Sequence, residues 1–369
     1  MGVKTFLYTW LSPYAWVLGI RHFLYDSGML LSREFPNVPV ICVGNMTVGG
    51  TGKTPMTEYL VEWLLQQGKR PMVLSRGYGR KTKGFHYVEP HEAACQKNGY
   101  VFRENGNACR ETDGHILWGD EPLQIKYRFP NVVVAVCEDR VAGVERLLTD
   151  YPEDPWIILD DALQHRRLKP SGTVLMANFH RPFWKDRLLP FGRLRDLPSA
   201  VKRADCVVLT HCPFPLPEEQ KKEHIRQVKQ SATIPVFHTY MTYGAPVPLN
   251  NPQQPLRKES PVLLVTGVAD AAPLRQYVQT HYKVERHLNY PDHHIFSQKD
   301  IKKITHLLQE NPSRRLITTA KDAVRLMHSH IPGWVIPIKL QFFPEETAAA
   351  FSQLVLFEMS ASEQEGDSL

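Results

Sequence analysis

The chain has 369 residues, 43% of them hydrophobic, enough to bury a sizeable core and to suggest one large or two medium domains. A net charge of +6 is mild and suits a phosphorylated or anionic partner. The lysines and arginines are dispersed and no zinc-finger, RRM or KH pattern occurs, so no nucleic-acid partner is expected. The six cysteines, Cys42, Cys95, Cys109, Cys137, Cys206 and Cys212, form no C-x-x-C pair and match no zinc spacing. Several sit in apolar runs, as buried thiols do in a reducing, cytosolic compartment.

Residues 6–31 are rich in aromatics, including Trp10 and Trp16, and are interrupted by Ser12-Pro13, Arg21, His22 and Asp26. The clean apolar part, residues 6–20, falls short of the ~20 residues that span a bilayer. No small-residue cleavage site follows, so a signal peptide is not expected. Two readings fit: a helix lying in the membrane interface with its rings at headgroup depth, or an amphipathic helix packed on the protein's own core.

Residues 39–43 form an apolar run ending at Gly44-Asn45, the pattern of a buried parallel strand. A helix follows the glycines, with Met56, Tyr59, Leu60, Trp63 and Leu64 at helical spacing, Pro55 in its first turn and Gly68 at its end. Residues 71–74 predict the next strand, which completes a βαβ order. Residues 84–105 alternate weakly and suggest a hairpin. Strands are expected at 131–136, 156–159, 173–177 and 206–210, with a short helix at 140–148. This is the pattern of a doubly wound parallel sheet.

Prolines 213, 215 and 217, and a second proline-rich stretch at 246–255, bracket a segment that reads as a linker. Beyond it βα alternation resumes. Strands are expected at 262–267, 282–288 and 316–319, with helices at 272–281 and from the Ser297 cap to 309. The expected organisation is an N-terminal helix (1–34), membrane-associating on the first of those two readings, a P-loop NTPase-like α/β domain (35–212), a linker or hinge (213–255), a smaller α/β domain (256–358) and an acidic disordered tail (359–369).

The chemistry concentrates in four places. The first is VGNMTVGGTGKTP, which departs from G-x-x-x-x-G-K-[ST] by placing Thr47 where the first glycine belongs. With a strand before it and a helix after it, Thr47, Val48, Gly49, Gly50, Thr51, Gly52, Lys53 and Thr54 can cradle phosphate through backbone N–H groups. Lys53 would then reach the β- and γ-phosphates and the Thr54 hydroxyl would bind Mg²⁺. The second is Asp160-Asp161 at the end of an apolar strand, where carboxylates can hold Mg²⁺. The third is Gly119-Asp120-Glu121-Pro122 and the fourth Pro291-Asp292-His293-His294. By themselves the last two admit a solvated loop, a metal site or an acid–base role.

The stretches GNMTVGGTGKTP, SRGYGRK, GDEP, LDDALQHRRL, RLLPFGRLRD, KRAD, PDHHIF and TTAKDAVRL occur in this order between Gly44 and Leu326. In these motifs the chain resembles the tetraacyldisaccharide 4'-kinase (lipid A 4'-kinase) family. The resemblance implies transfer of the γ-phosphoryl of ATP to the 4'-hydroxyl of a lipid A disaccharide precursor at the cytoplasmic face of the bacterial inner membrane. It implies ATP and Mg²⁺ as cofactors, the lipid and the membrane surface as partners, and no obligate protein partner.

Carried over residue by residue, the resemblance makes Thr47 at the head of the loop the family's own form. It makes Asp120 the acceptor of the sugar hydroxyl's proton, with His293 raising its basicity. Asp160 and Asp161 fall near Mg²⁺, and Arg76 and Arg140 near substrate or phosphates. The cleft between the two α/β units is expected to close and bring His293 to Asp120. Ala162-Leu163 and Lys169-Pro170-Ser171 depart from the family's usual Gly-Phe and Arg-Asp runs. A lipid acceptor also favours the interfacial reading of the N-terminus, with Lys4, Arg21 and Arg33 near anionic lipid. The other readings are a partitioning-type nucleotide-switch ATPase, for which Val48 stands where the signature lysine belongs, and a membrane-associated binding protein with a relic nucleotide fold.

Overall fold

The computed structural model of the chain describes residues 13–89, 117–343 and 350–355. Helix α1 (Pro13–Asp26) leads into β1 (Val40–Asn45), α2 (Lys53–Gln66), β2 (Arg70–Ser75) and β3 (His86–Tyr87). There follow α3 (Asp120–Arg128), β4 (Val133–Val136), α4 (Arg140–Asp150), β5 (Pro155–Asp160), β6 (Gly172–Asn178), β7 (Cys206–Thr210), α5 (Glu218–Lys229) and β8 (Val236–Tyr243). The remainder is β9 (Val247–Leu249), β10 (Pro261–Thr266), α6 (Ala272–His281), β11 (Lys283–Asn289), α7 (Gln298–Glu310), β12 (Arg315–Thr319), α8 (Ala320–Leu326), β13 (Gly333–Ile336) and β14 (Ile338–Phe342).

Two sheets result. The larger has the order β14-β8-β7-β6-β1-β5-β2-β4-β3, parallel except where β3 meets β4 and β14 meets β8. The smaller has the order β11-β10-β12-β13-β9, antiparallel only at β9. Strand β1 is central and fully buried, and its alternate residues enter different cores. Ile41 and Val43 pack with Met56, Leu60 and Leu64 of α2 and Leu123 of α3, whereas Val40 and Cys42 pack with Val144 and Leu147 of α4. A strand covered by helices on both faces has no use for polar alternation, so its sequence is one apolar run.

The sheets divide the chain differently from its composition. Residues 213–255, expected as linker, contain α5 and β8, and β8 pairs in parallel with β7 as a member of the larger sheet. Its sequence, VFHTYMTY, mixes aromatic and polar residues between proline clusters and so hides a strand. The chain also returns: β14 follows the last strand of the smaller sheet but pairs with β8, and Phe351 and Val355 lie in the core beside α2. The crossing segments touch, with Gly244 N–H donating to the Pro337 carbonyl at 2.8 Å. Only β3 represents the expected hairpin, and it pairs with β4. The rest of that hairpin, residues 1–12 and the acidic tail lie outside the described residues.

Helix α1 buries Ala15, Leu18 and His22 against the larger unit. Trp16, Val17, Ile20 and Phe23, at helical spacing on another face, are each more than half exposed, as are Met29 and Leu31 beyond the helix. Among the described residues no helix is long and apolar enough to cross a membrane. Arg21, expected toward lipid, instead donates to the Gln164 carbonyl at 2.6 Å.

The loop after β5 lies across the carboxyl end of β1, with Asp161 N–H donating to the Val43 carbonyl at 2.9 Å. A Cβ on Gly44 would stand 2.5 Å from Leu163 Cβ. Gly44→Ala is therefore expected to lower stability by ~1–3 kcal/mol, the usual range for overpacking, as read by urea unfolding. In a double-mutant cycle with Leu163→Gly the combined loss should be smaller than the sum of the two single losses. An unchanged midpoint would show that the loop does not press on β1.

Candidate active site

The glycine loop joins β1 to α2 at the centre of the larger sheet, where phosphate meets strand ends and a helix N-terminus. Gly49 and Gly52 have φ of 109° and 75°, left-handed values that a side chain would resist. Thr47 forms an ordinary antiparallel bridge to Leu194, so the first position of the loop needs no glycine. The Asn45 amide braces the turn from inside, donating to Thr47 O and Thr51 Oγ1 at 2.7 Å each. Thr210 of β7 donates to the Thr51 carbonyl at 3.0 Å. Val48, Gly49 and Gly50 are exposed at the mouth, and Lys53 and Thr54 open α2.

Asp160 and Asp161 differ sharply although adjacent. Asp160 is 4% exposed and accepts from Ser75 Oγ at 3.2 Å and Thr57 Oγ1 at 3.4 Å. Burial, and then the charge of Asp161, push its carboxyl up to about 6. Asp161 has φ 51° and turns out of the strand. Burial raises it too, but Lys53 and Arg195 outweigh burial and hold it below the ordinary carboxylate value. Arg195 forks onto both its oxygens and onto Asn45 Oδ1, and Lys53 Nζ stands 3.9 Å from Oδ2. The left-handed residue is Asp161, so Ala162 keeps an ordinary backbone conformation and the absent glycine there is tolerated.

Asp120 begins α3, behind Gly119 at φ 88°. A Cβ on Gly119 would meet the backbone of Gly77 and Tyr78, so the SRGYG loop and the GDE turn touch main chain to main chain. Helix α8, from the smaller unit, packs on α3 and brings its side chains to Asp120. Arg325 Nε donates to Asp120 Oδ1 at 3.1 Å and its terminal nitrogen to Oδ2. His293, at φ 59°, places Nδ1 3.0 Å from Asp120 Oδ2. Burial pushes the Asp120 carboxyl up, but the hydrogen bonds of His293 and Arg325 and the charge of Arg325 hold it well below the ordinary range. After burial and Asp161, the charge of Glu121 also raises Asp160, so the turn at Gly119 lies within Coulombic range of the acids at the end of β5.

The structure thus brings Asp120 and His293 together already, without a further closing motion. It places Lys53 beside Asp161 at the end of β5, with Thr54 next in the first turn of α2 and Thr57, one turn on, touching Asp160. Arg76 is exposed directly after Ser75. Arg140 is 2% exposed and points inward, donating to the carbonyls of Cys137 and, at 3.4 Å, Asp160. In this position it ties the ends of β4 and β5 together, at the strand end that carries Asp160 and Asp161. Burial pushes its guanidinium down, against the pull of Asp160 and Asp161. His294 stacks on Tyr290 and bonds Asp300, and holds the loop before α7. Among the described residues no group of three or more His, Cys, Asp or Glu is placed to hold a metal by itself.

Arg195, Lys321 and Arg325 were not singled out by the sequence. Each lies in one of the motifs RLLPFGRLRD or TTAKDAVRL, but its partner is 28 to 205 residues away. A cation in a motif without a chemical role of its own was the only signal.

Comparison with known proteins gives the family. A family profile described as Tetraacyldisaccharide-1-P 4'-kinase matches residues 3–356. A Tetraacyldisaccharide 4'-kinase of Phocaeicola vulgatus is 36% identical over 361 residues, covering 94% of this chain and 92% of the relative. Its counterpart in Bacteroides thetaiotaomicron is 35% identical over 366 residues, covering 92% and 90%. Among solved structures, LpxK from Aquifex aeolicus in complex with ATP superimposes with a TM-score of 0.70 at 27% identity, covering 96% of this chain and 98% of that one. This chain belongs to the Tetraacyldisaccharide-1-P 4'-kinase family.

Proposed function

We propose that this protein transfers the γ-phosphoryl of ATP to the 4'-hydroxyl of a tetraacyldisaccharide 1-phosphate, with Asp120 as proton acceptor. The observation that carries the reading is the contact of Asp120 with His293 across two units, at a turn within Coulombic range of the acids at the end of β5. The backbone of residues 49–53 and Lys53 bind the phosphates, and Arg76 is free to face the incoming substrate. Asp120 stays ionised at neutral pH and accepts a hydrogen bond from the acceptor hydroxyl. Phosphoryl transfer passes through a loose transition state, so the hydroxyl gives up its proton late, when its oxygen is already bonding to phosphorus. A weakly basic carboxylate is adequate for that task, and positioning does most of the work.

The pair Asp160-Asp161 fits a hard divalent cation. Two adjacent carboxylates at one strand end, with Lys53 and Arg195 as their nearest opposing charges, form an oxygen-donor set that a cation would relieve. Bound by Asp160, Asp161 and Thr54, Mg²⁺ would neutralise charge on the β- and γ-phosphate oxygens. The exposed face of α1 lies on the membrane, at the cytoplasmic side of the inner membrane, and sets the site at headgroup height. No observation favours the switch ATPase.

Three experiments test this reading. Protein in detergent with labelled ATP, Mg²⁺ and tetraacyldisaccharide 1-phosphate should yield labelled bisphosphate on thin-layer chromatography. Lys53→Ala and Asp120→Asn should each reduce it by roughly 100-fold or more. ATP hydrolysis indifferent to lipid would overturn the reading.

The raised value of Asp160 means that its ionised form destabilises the fold. That cost is complete above about 6 and vanishes as pH falls to the ordinary 3.8. Asp160→Asn should therefore melt higher than wild type in neutral buffer while losing Mg²⁺-dependent activity, and the stability gain should fade through that window. A variant melting at the wild-type temperature throughout would contradict this. Finally, Ile20→Glu with Phe23→Glu should abolish co-sedimentation with anionic vesicles and leave turnover of detergent-dispersed substrate intact. Undiminished sedimentation would remove α1 from the membrane.

A further inference from the structure

Helix α8 carries Lys321 and Arg325 one turn apart, so both cations face the same neighbour. Arg325 engages Asp120, as described. Lys321 Nζ stands 2.9 Å from His293 Nε2, the ring nitrogen turned away from Asp120. It is held there by Glu121 and Asp292, each at 3.3 Å. The cluster therefore runs Lys321, His293, Asp120, Arg325, with the outer members from one helix of the smaller unit and Asp120 from the larger.

We propose that Lys321 is a positioning residue for the phosphoryl transfer, acting through His293 by fixing its tautomer. This rests on the reading of Asp120 as proton acceptor. A lysine ammonium has donors and no acceptor, so His293 Nε2 must accept. The ring proton then sits on Nδ1 and donates to Asp120 Oδ2 at 3.0 Å. In the other tautomer the Nδ1 lone pair would face a carboxylate and an N–H would face an ammonium, unfavourable at both ends. Asp292, with Oδ2 3.7 Å from Nε2, and the Tyr78 ring, 5.9 Å away, complete the surroundings of the imidazole.

The consequence is directional. With Nδ1–H and two N–H groups of Arg325 occupying three lone pairs of Asp120, one on Oδ1 is left for the hydroxyl that must donate to it. Loss of Lys321 lets the imidazole adopt the other tautomer, and Asp120 loses one of its two anchors. A wrongly protonated imidazole in a catalytic relay leaves the geometry intact but slows the chemical step. Binding of ATP and lipid should be untouched, because Lys321 reaches neither in this role.

The test uses full-length protein with Lys321→Met and Lys321→Arg. In the lipid kinase assay, Lys321→Met should lower kcat by about tenfold or more with KM values within about twofold of wild type, and Lys321→Arg, again a pure donor, should recover part of the loss. Spectra of protein labelled with ¹⁵N-histidine, with His293→Gln to assign the signal, should show His293 protonated on Nδ1 in wild type. In Lys321→Met the signal should move to the Nε2–H form or to a mixture. A wild-type kcat in Lys321→Met, or an unchanged tautomer, overturns the inference. Asp120→Asn in the same assay tests the underlying reading separately. If it retains activity, the role of Asp120 fails whatever the tautomer. If it is inactive while Lys321→Met matches wild type in rate and spectrum, only the role of Lys321 fails.

Discussion

The buried pair between Asp120 and Arg325 is the contact on which the rest of the site depends. The Arg325 side chain is 1% exposed and that of Asp120 10%, so neither charge can be satisfied by bulk water. Each comes from a helix of a different unit, α3 and α8, and neither unit could bury its half alone. Removing one partner of such a pair typically costs about 3–5 kcal/mol, because the other is left buried and uncompensated. The pair thus acts as a register pin between the units. Val324, the neighbour of Arg325, enters the hydrophobic core of the larger unit, so apolar packing and charge compensation fix the same geometry. His293 can reach Asp120 only because α8 is docked in this register.

A second constraint runs from the N-terminal helix to the phosphate loop. Tyr14 donates to the Arg195 carbonyl at 2.8 Å, and the Arg195 guanidinium grips Asp161 and Asn45. Arg21 donates to the Gln164 carbonyl, and the Gln164 amide donates to the Asn45 carbonyl at 2.9 Å. His22 pairs with Asp196 at 2.8 Å, which also accepts from Arg203. The helix whose other face is apolar and exposed is therefore tied by polar side chains to the residues that shape the nucleotide site. Its orientation and that of the loop are set together.

The carboxylates show how the fold assigns different tasks to chemically identical groups. Asp160 ends a buried strand, receives two hydroxyl donors, from Ser75 and Thr57, and is lifted toward neutrality. Asp161 takes a left-handed turn one residue later, meets Arg195 and Lys53, and stays ionised. Asp120 is as buried as many apolar side chains, yet remains charged because two donors from the other unit converge on it. Burial pushes in one direction in all three cases, and the number and charge of the partners decide the outcome.

The sequence by itself determined the parallel sheet, the glycine loop and the strand-end acids. Those signals are local: an apolar run, glycines next to Lys53 and Thr54, and paired aspartates after four apolar residues. Asp120 and His293 were legible only through the ordered motifs of a family, since an acid in a glycine–proline turn and two histidines in a loop have no chemistry of their own. Tertiary structure alone decided what surrounds them. Arg325 meets Asp120 across 205 positions of chain and Arg195 meets Asn45 across 150. Tertiary structure also turned Arg140 and Arg21 inward, made β8 a sheet strand rather than a linker, and returned β14 to the first sheet. The physical reason is the same throughout: periodicity records how a segment meets its neighbours along the chain, whereas the partner of a charge is chosen by packing between segments.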